Sequence, residues 1–394
     1  MTNDVFIVGR ARTPLGALSG VLSTVPAPQL GAICIEAALQ RASVSPHKVD
    51  EVIMGNVVSA GIGQNPARQA SLKAGLSPTV GATTINKVCG SGLKAAMLGA
   101  QAIQLGESQF IVAGGMESMS LAPYLLTHAR AGYRLGNGVL IDSMLHDGLR
   151  DAYSDKLMGI YGDQCAAKFH FTRQEQDDFA IRSYRRAQRA ISEGVFDDEI
   201  IPVPVVAKKG ATLVTQDEEP ARLDEVKLRA LKPAFDPHGT ITAANSSSIN
   251  DGAAALVLAS VSACKSFSCS PLARIVGSAT FSQEPEWFTT APIGAIQKLL
   301  AQLNWTVPDV DLFEINEAFA AVAMAAAKEL NIPGDKLNIY GGAIALGHPI
   351  GASGARILVT LLTALQRTGK RRGIAALCLG GGEAVALAVE AMNR

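Results

Sequence analysis

The chain has 394 residues, 48% of them hydrophobic and 18% charged, and its 35 basic residues balance 35 acidic ones. That is enough apolar sequence for a large core. The zero net charge offers no basic excess for nucleic acid. No apolar run reaches membrane-span length without a glycine or a charge, and Met1–Asp4 leads straight into strand-like text without a basic or long apolar stretch, which predicts against a secretory signal. Six scattered cysteines in such a chain predict free thiols in a reducing, cytoplasmic compartment. No close cysteine pair or histidine group predicts a metal.

In chain order, Val5-Phe6-Ile7-Val8-Gly9 is a short apolar strand ending at glycine, and residues 49–55 form a second. Cys89-Gly90-Ser91-Gly92 is a glycine-rich turn opening an apolar helix from Leu93 to Leu105. Phe110 to Gly115 is a strand closing on two glycines. The middle, 121–248, differs: Thr172 with Glu175 makes a capping box before a charged surface helix, and 201–209 is rich in proline and lysine. Residues 246–258 return to core text. The parts then repeat in order as Ala273 to Gly277, Val310 to Asn316, Gly351 to Ile357 and Ala375 to Gly381. Such self-similarity predicts two copies of one supersecondary unit. Alternating strands and helices predict an α/β fold with mostly parallel sheets. The expected units are 1–120 with 249–270, an inserted segment 121–248, and 271–394.

Three side chains framed by glycine carry the chemistry. Cys89 precedes a helix, where the dipole favours thiolate. Gly90 and Gly92 permit a sharp turn that exposes sulfur, as in a nucleophile elbow. His348 lies between Gly347 and Pro349, so it sits in a turn rather than mid-helix. Cys378 ends an apolar strand before Gly380-Gly381-Gly382, whose N–H groups are free to bind an oxyanion. Two thiols and an imidazole predict covalent acyl chemistry with a separate proton-transfer group. Cys34, Cys165, Cys264 and Cys269 read as small core residues. Asn316-Glu317 begins an alanine-rich helix, where Asn316 reads as an N-cap, a site group, or both.

Taken together, residues 5–16, 86–94, 114–118, 231–252, 316–320, 341–354 and 378–382 resemble the thiolase family, closest to its short-chain acetyl-CoA acetyltransferases. The resemblance covers essentially the whole chain. It implies a thiolase fold of duplicated βαβαβαββ halves in five αβαβα layers, with a loop domain over the active site. It implies acylation of Cys89, activation by His348, and α-proton transfer by Cys378. Asn316 would hold a water that forms one oxyanion hole with His348, and the N–H groups of Cys89 and Gly380 would form the other. Substrate contacts carried over are Ser247 on the pantetheine arm and Phe235, Met158, Leu157, Phe288, Ala318 and Phe319 nearer the acyl end. Arg222, Lys227 and Lys232 would lie near the ADP end. The implied reaction is reversible condensation of two acetyl-CoA to acetoacetyl-CoA and CoA, with CoA thioesters as substrates, no cofactor, and a homotetramer built through the loop 125–142.

The chain departs from the family where Leu157 replaces the usual histidine, where Gly162-Asp163-Gln164 replaces Ala-Glu-Asn, and where 223–229 is shorter. A ketoacyl synthase-like enzyme would carry histidine or asparagine in place of Cys378. A broad chain-length degradative thiolase would share all the catalytic residues and differ only in the acyl pocket. A non-catalytic scaffold is favoured by Leu157 alone.

Overall fold

The computed structural model describes residues 4–207 and 210–392; the opening residues 1–3, Lys208 and Lys209 of the basic stretch, and 393–394 lie outside the described residues. The first half supplies strands β1 (Val5–Arg12), β2 (Glu51–Gly55), β3 (Gly81–Ile85), β4 (Phe110–Ser118) and β5 (Asn250–Ser260). The second supplies β6 (Ala273–Ser282), β7 (Leu312–Ile315), β8 (Arg372–Leu379) and β9 (Glu383–Ala391). With the two-residue strand Gly16–Ala17 paired to β5, they form a ten-stranded sheet in the order β7-β8-β9-β6-β1-β5-β4-β2-β3.

The pairing is more antiparallel than expected. β2 pairs in parallel with β3 and β4, and β7 with β8, but β5 inserts antiparallel between β1 and β4, and β9 between β6 and β8. The reason is topological. Each half ends with a strand that returns from the opposite direction, and alternation of apolar text does not encode direction.

The helices are α1 (Ala27–Ala42), α2 (Pro66–Lys73), α3 (Ser91–Leu105), α4 (Met158–Phe169), α5 (Arg173–Ser192), α6 (Ala291–Leu303), α7 (Ala320–Leu330) and α8 (Ile350–Thr368). α3 and α8 pack on each other in the middle layer. α3 rests on β2 and β4, and α8 on β4, β5, β7 and β8. α1 and α2 cover the outer face of the first half, and α6 and α7 that of the second. These are the five αβαβα layers. α8 is buried from Ile350 to Leu365, as a helix enclosed on all sides should be.

The internal repeat is visible in the backbone. β1 and β6 pair antiparallel, Val5 opposite Ile275 and Ile7 opposite Ala273. Each carries a register shift at the same place in its repeat, between Ile7 and Gly9 and between Ile275 and Gly277. The glycines Gly92 and Gly354 face the partner helix. A Cβ on Gly92 would lie 2.7 Å from Ala355 N, and one on Gly354 would lie 2.3 Å from Leu93 N. Close helix contact across the pseudo-two-fold therefore requires glycine at both positions.

Residues 119–249 leave the sheet after β4 and rejoin it at β5. Within this insertion α5 begins with the Thr172–Glu175 capping box. Its anchor to the core is Arg12, wholly buried, which binds Glu199 at 2.5 Å and Asp217 at 2.7 Å. The hairpin Tyr124–Leu125 with Ile141–Asp142 spans a loop that leaves Leu126, Leu135, Val139 and Leu140 exposed.

Candidate active site

Cys89 lies in the turn between β3 and α3. Val88 before it has φ 46°, a left-handed conformation that is costly for a β-branched residue. Hydrogen bonds hold the strain in place: Val88 N–H donates to Asn86 Oδ1 (2.9 Å), the Ser91 hydroxyl to Val88 O (2.7 Å), and Lys87 N–H to Ser91 Oγ (2.8 Å). Gly90 is the N-cap of α3, so Cys89 stands just outside the helix. Part of its surface faces a cavity.

The expectation that the helix dipole favours thiolate is overturned. Burial pushes the Cys89 thiol up to about 12. The N–H groups of Cys89 and Gly380 act on the sulfur in the opposite direction, and the carboxylate of Glu117 adds to the upward shift. Desolvation outweighs the dipole here because the thiolate would lie within protein. The resting sulfur is a thiol and needs a base.

His348 faces the same cavity. It is held in a turn by Gly347, whose φ is 114° and whose Cβ, if present, would lie 2.4 Å from the Asn250 side chain. His348 N–H donates to Asn250 Oδ1 at 3.0 Å. Burial, reinforced by the positive charge of Arg356, lowers the imidazole pKa to about 3, so the ring is neutral. Its tautomer follows from Ser353. The single Ser353 hydroxyl proton goes to Pro349 O (2.9 Å), so Ser353 Oγ accepts from His348 Nδ1–H at 2.5 Å. Nε2 therefore carries the lone pair. Asn316 Nδ2 lies 3.4 Å from Nε2, and Asn316 Oδ1 is buried with no protein partner. Asn316 is not the N-cap of α7; that helix starts at Ala320 with Phe319 as its cap.

Cys378 sits on β8 opposite Ala384. Its thiol is raised well above its ordinary value by burial, with the nearby sulfur of Cys89 adding to the shift. Beyond it the backbone turns through Gly381 and Gly382 at φ 89° and 86°, a conformation open to glycine.

A cavity of about 450 Å³ gathers Cys89, His348, Cys378 and Gly380 on its walls. Leu157 and Met158 enter from the start of α4. Phe235, Phe288, Ala318 and Phe319 add apolar surface, and Ser247 and Arg222 also stand among the lining residues. Arg222 is bound to Glu218 and Glu219, and the Ser247 hydroxyl donates to Ala318 O at 3.1 Å. Lys227 lies outside this lining, on the short helix Glu225–Ala230, exposed and paired with Asp224 at 3.0 Å. Lys232 is likewise not on the wall. Asp163 accepts from Thr240 N–H and Ile241 N–H at 2.7 and 2.9 Å, so the departure at 162–164 still anchors the loop beside Phe235.

Sequence reasoning missed Ser353, although it lies in the repeated Gly-x-Ser-Gly text that pointed to His348. It also missed Glu117, buried, which accepts from Val57, Val58 and Gly351 N–H groups and from Asn56 Nδ2, tying β4 to the start of α8. Its neighbours are far apart in sequence, so no local spacing marks it. All six cysteines are free. Among the described residues, no three His, Cys, Asp or Glu groups converge to hold a metal, and no helix is long and apolar enough to cross a membrane.

The comparisons with known proteins agree with this geometry. Residues 5–262 match the model of the thiolase N-terminal domain, and 269–391 that of the thiolase C-terminal domain. An acetyl-CoA acetyltransferase of Escherichia coli is 52% identical over 389 residues, covering 98% of this chain and 99% of the relative. A cytosolic acetyl-CoA acetyltransferase of Mus musculus is 50% identical over 99% of this chain and 98% of the relative. Among solved structures, the acetyl-CoA acetyltransferase of Bacillus anthracis superposes with a TM-score of 0.97 at 42% identity, covering 99% of both chains. An Ascaris suum thiolase in complex with coenzyme A superposes with a TM-score of 0.94 at 43% identity, covering 99% of this chain and all of that one. The chain belongs to the thiolase family and is an acyltransferase.

Proposed function

We propose that the protein is an acetyl-CoA C-acetyltransferase that interconverts two acetyl-CoA with acetoacetyl-CoA and CoA. The observation that carries this reading is the convergence of two neutral thiols and a tautomer-fixed imidazole on one apolar cavity, with two backbone N–H groups acting on the Cys89 sulfur. In this reading His348 Nε2 takes the Cys89 proton as sulfur attacks the thioester carbonyl. The oxyanion is stabilised by the N–H groups of Cys89 and Gly380. The Cys378 thiol protonates the departing CoA sulfur and is left as thiolate. That thiolate then removes an α-proton from a second acetyl-CoA. The enolate oxygen is stabilised by imidazolium His348 with a water on Asn316. Attack of the enolate on acetyl-Cys89 forms the C–C bond, and Cys89 leaves as thiolate and regains its proton from His348. The cycle starts and ends with all three groups neutral, as burial dictates, and only the acyl-enzyme carries the Cys378 thiolate and the His348 imidazolium.

No cofactor beyond the CoA thioesters enters these steps. The aromatic lining of the cavity favours short acyl groups. In the same reading the enzyme is cytoplasmic and assembles as a tetramer, an assembly that the exposed apolar side chains of the 125–142 loop support. The deciding experiment is mass spectrometry after brief incubation with acetyl-CoA, on the parent and on Cys378→Ala. The expected result is acetyl on the Cys89 peptide in both, with condensation and thiolysis lost by several orders of magnitude only in Cys378→Ala. Acetyl on Cys378 alone, or near-normal turnover in the variant, would refute the assignment of roles.

A further inference from the structure

We propose that Tyr161 is a positioning residue that sets the acyl-chain limit by bracing Phe288 from behind, an inference that rests on the thiolase reading above. Tyr161 lies on α4, is buried, and does not itself touch the cavity. Its ring meets that of Phe288 edge-on, with centroids 6.0 Å apart and planes at 85°. Phe288 is the cavity-lining member of this pair and packs in one apolar cluster with Cys378, Ala318 and Phe319. An edge-to-face pair prefers this arrangement over others, so the tyrosine fixes how far the phenylalanine ring can retreat.

The phenol oxygen ties the brace to the segment just before α4. It donates to Asp151 Oδ2 at 3.3 Å and is hydrogen-bonded to Ser154 Oγ. The same Asp151 oxygen accepts from Tyr153 N–H and Ser154 N–H at 3.2 and 2.7 Å. Asp151 N–H also donates to Lys156 O at 2.8 Å, closing the turn that delivers Leu157 and Met158 to the cavity. One buried side chain thus links Phe288 to the turn that carries Leu157 and Met158, all three on the cavity wall. A second edge-on pair, Phe235 with Phe319 at 6.3 Å and 87°, belongs to the same lining. With both pairs in the lining, an added methylene has to displace one of these rings. The Tyr161–Phe288 ring is the one held by a polar anchor.

The test is the ratio of kcat/KM for thiolysis of acetoacetyl-CoA over 3-ketohexanoyl-CoA in the parent, Tyr161→Phe, Tyr161→Leu, Phe288→Leu and the double variant. Removing the brace should lower the ratio about tenfold or more in Tyr161→Leu, the scale on which a pocket discriminates one methylene. Tyr161→Phe, which keeps the ring but loses the hydrogen bonds to Asp151 and Ser154, should lower the ratio less than Tyr161→Leu does. Because Tyr161 acts through Phe288, the double variant should be no more permissive than Phe288→Leu alone, a non-additivity characteristic of coupled neighbours. Tyr161→Met serves if the leucine variant does not fold, with the same expected fall. An unchanged ratio in a variant that still acetylates Cys89, or additive effects in the double variant, would overturn the proposal. A parent that cleaves neither substrate would instead overturn the proposed function, so the two failures are distinct.

Discussion

Ser353→Ala isolates the group that fixes the tautomer of the catalytic base. In the parent, Ser353 Oγ spends its proton on Pro349 O and accepts from His348 Nδ1–H at 2.5 Å, which leaves Nε2 bare. Alanine fits the first turn of α8 at no cost in helix propensity, and the site is fully buried, so the change deletes one acceptor and little else. The imidazole then has two options. It can keep Nδ1–H unsatisfied, which costs about 1–3 kcal/mol for a buried donor. Or it can move the proton to Nε2 and lose the lone pair with which, in the proposed mechanism, it takes the Cys89 proton. Either way the competent form loses about 1–3 kcal/mol, and at 1.36 kcal/mol per decade the acylation rate falls about 5- to 150-fold. The assay is single-turnover acetylation of Cys89 with acetyl-CoA, quenched and read by mass spectrometry. A thermal melt should verify that the fold persists. Acetylation within about twofold of the parent would refute the inference that Ser353 sets the tautomer.

Three further outcomes follow from the geometry. Alkylation of Cys89 by iodoacetamide in the free enzyme should rise about tenfold per pH unit from neutrality to pH 9, because a thiol raised to about 12 gains thiolate throughout that range; a plateau centred near pH 7 would contradict a neutral resting thiol. Asp217→Ala should cost about 3 kcal/mol in urea unfolding, the low end for breaking a buried ion pair, because Glu199 still faces Arg12; a loss below about 1 kcal/mol would show the insertion to be anchored elsewhere. Gly347→Ala should abolish turnover while leaving CoA binding, since φ 114° and the contact with Asn250 both forbid a Cβ; wild-type kcat would show that the turn adapts.

Much of the fold was legible because its parts occur twice. Short strands ending at glycine and the two glycine-rich helix starts are local features, and they predicted the duplicated α/β halves. Strand direction was not legible: β5 and β9 carry the same apolar text as their neighbours, and only the path of the chain makes them antiparallel. Of the site, the residues framed by glycine were found because glycine marks where backbone must bend or approach closely. Tyr161 and Glu117 act through partners more than a hundred residues away, and no spacing encodes that, whereas Ser353 is local to His348 and was overlooked. Nor did the sequence reveal the protonation state of Cys89. A helix start argues for thiolate only when the sulfur meets water, and burial is a property of the packed chain.

The repeat also explains how one serine position came to do two jobs. Cys89-Gly90-Ser91-Gly92 and Gly351-Ala352-Ser353-Gly354 occupy equivalent helix starts that face each other across the pseudo-two-fold. Both serines turn their hydroxyl proton onto a carbonyl of the preceding turn, Ser91 onto Val88 O and Ser353 onto Pro349 O. Each then has an acceptor lone pair to offer. In the first half it takes Lys87 N–H and so holds the strained turn that presents the Cys89 nucleophile. In the second it takes His348 Nδ1–H and so fixes the base. The same clamp, used once on backbone and once on imidazole, positions the thiol and the imidazole of one cavity from opposite halves. Buried surroundings keep both groups neutral until substrate enters. Nucleophile and base could therefore diverge from a common turn without either half losing the hydrogen bonds that form it.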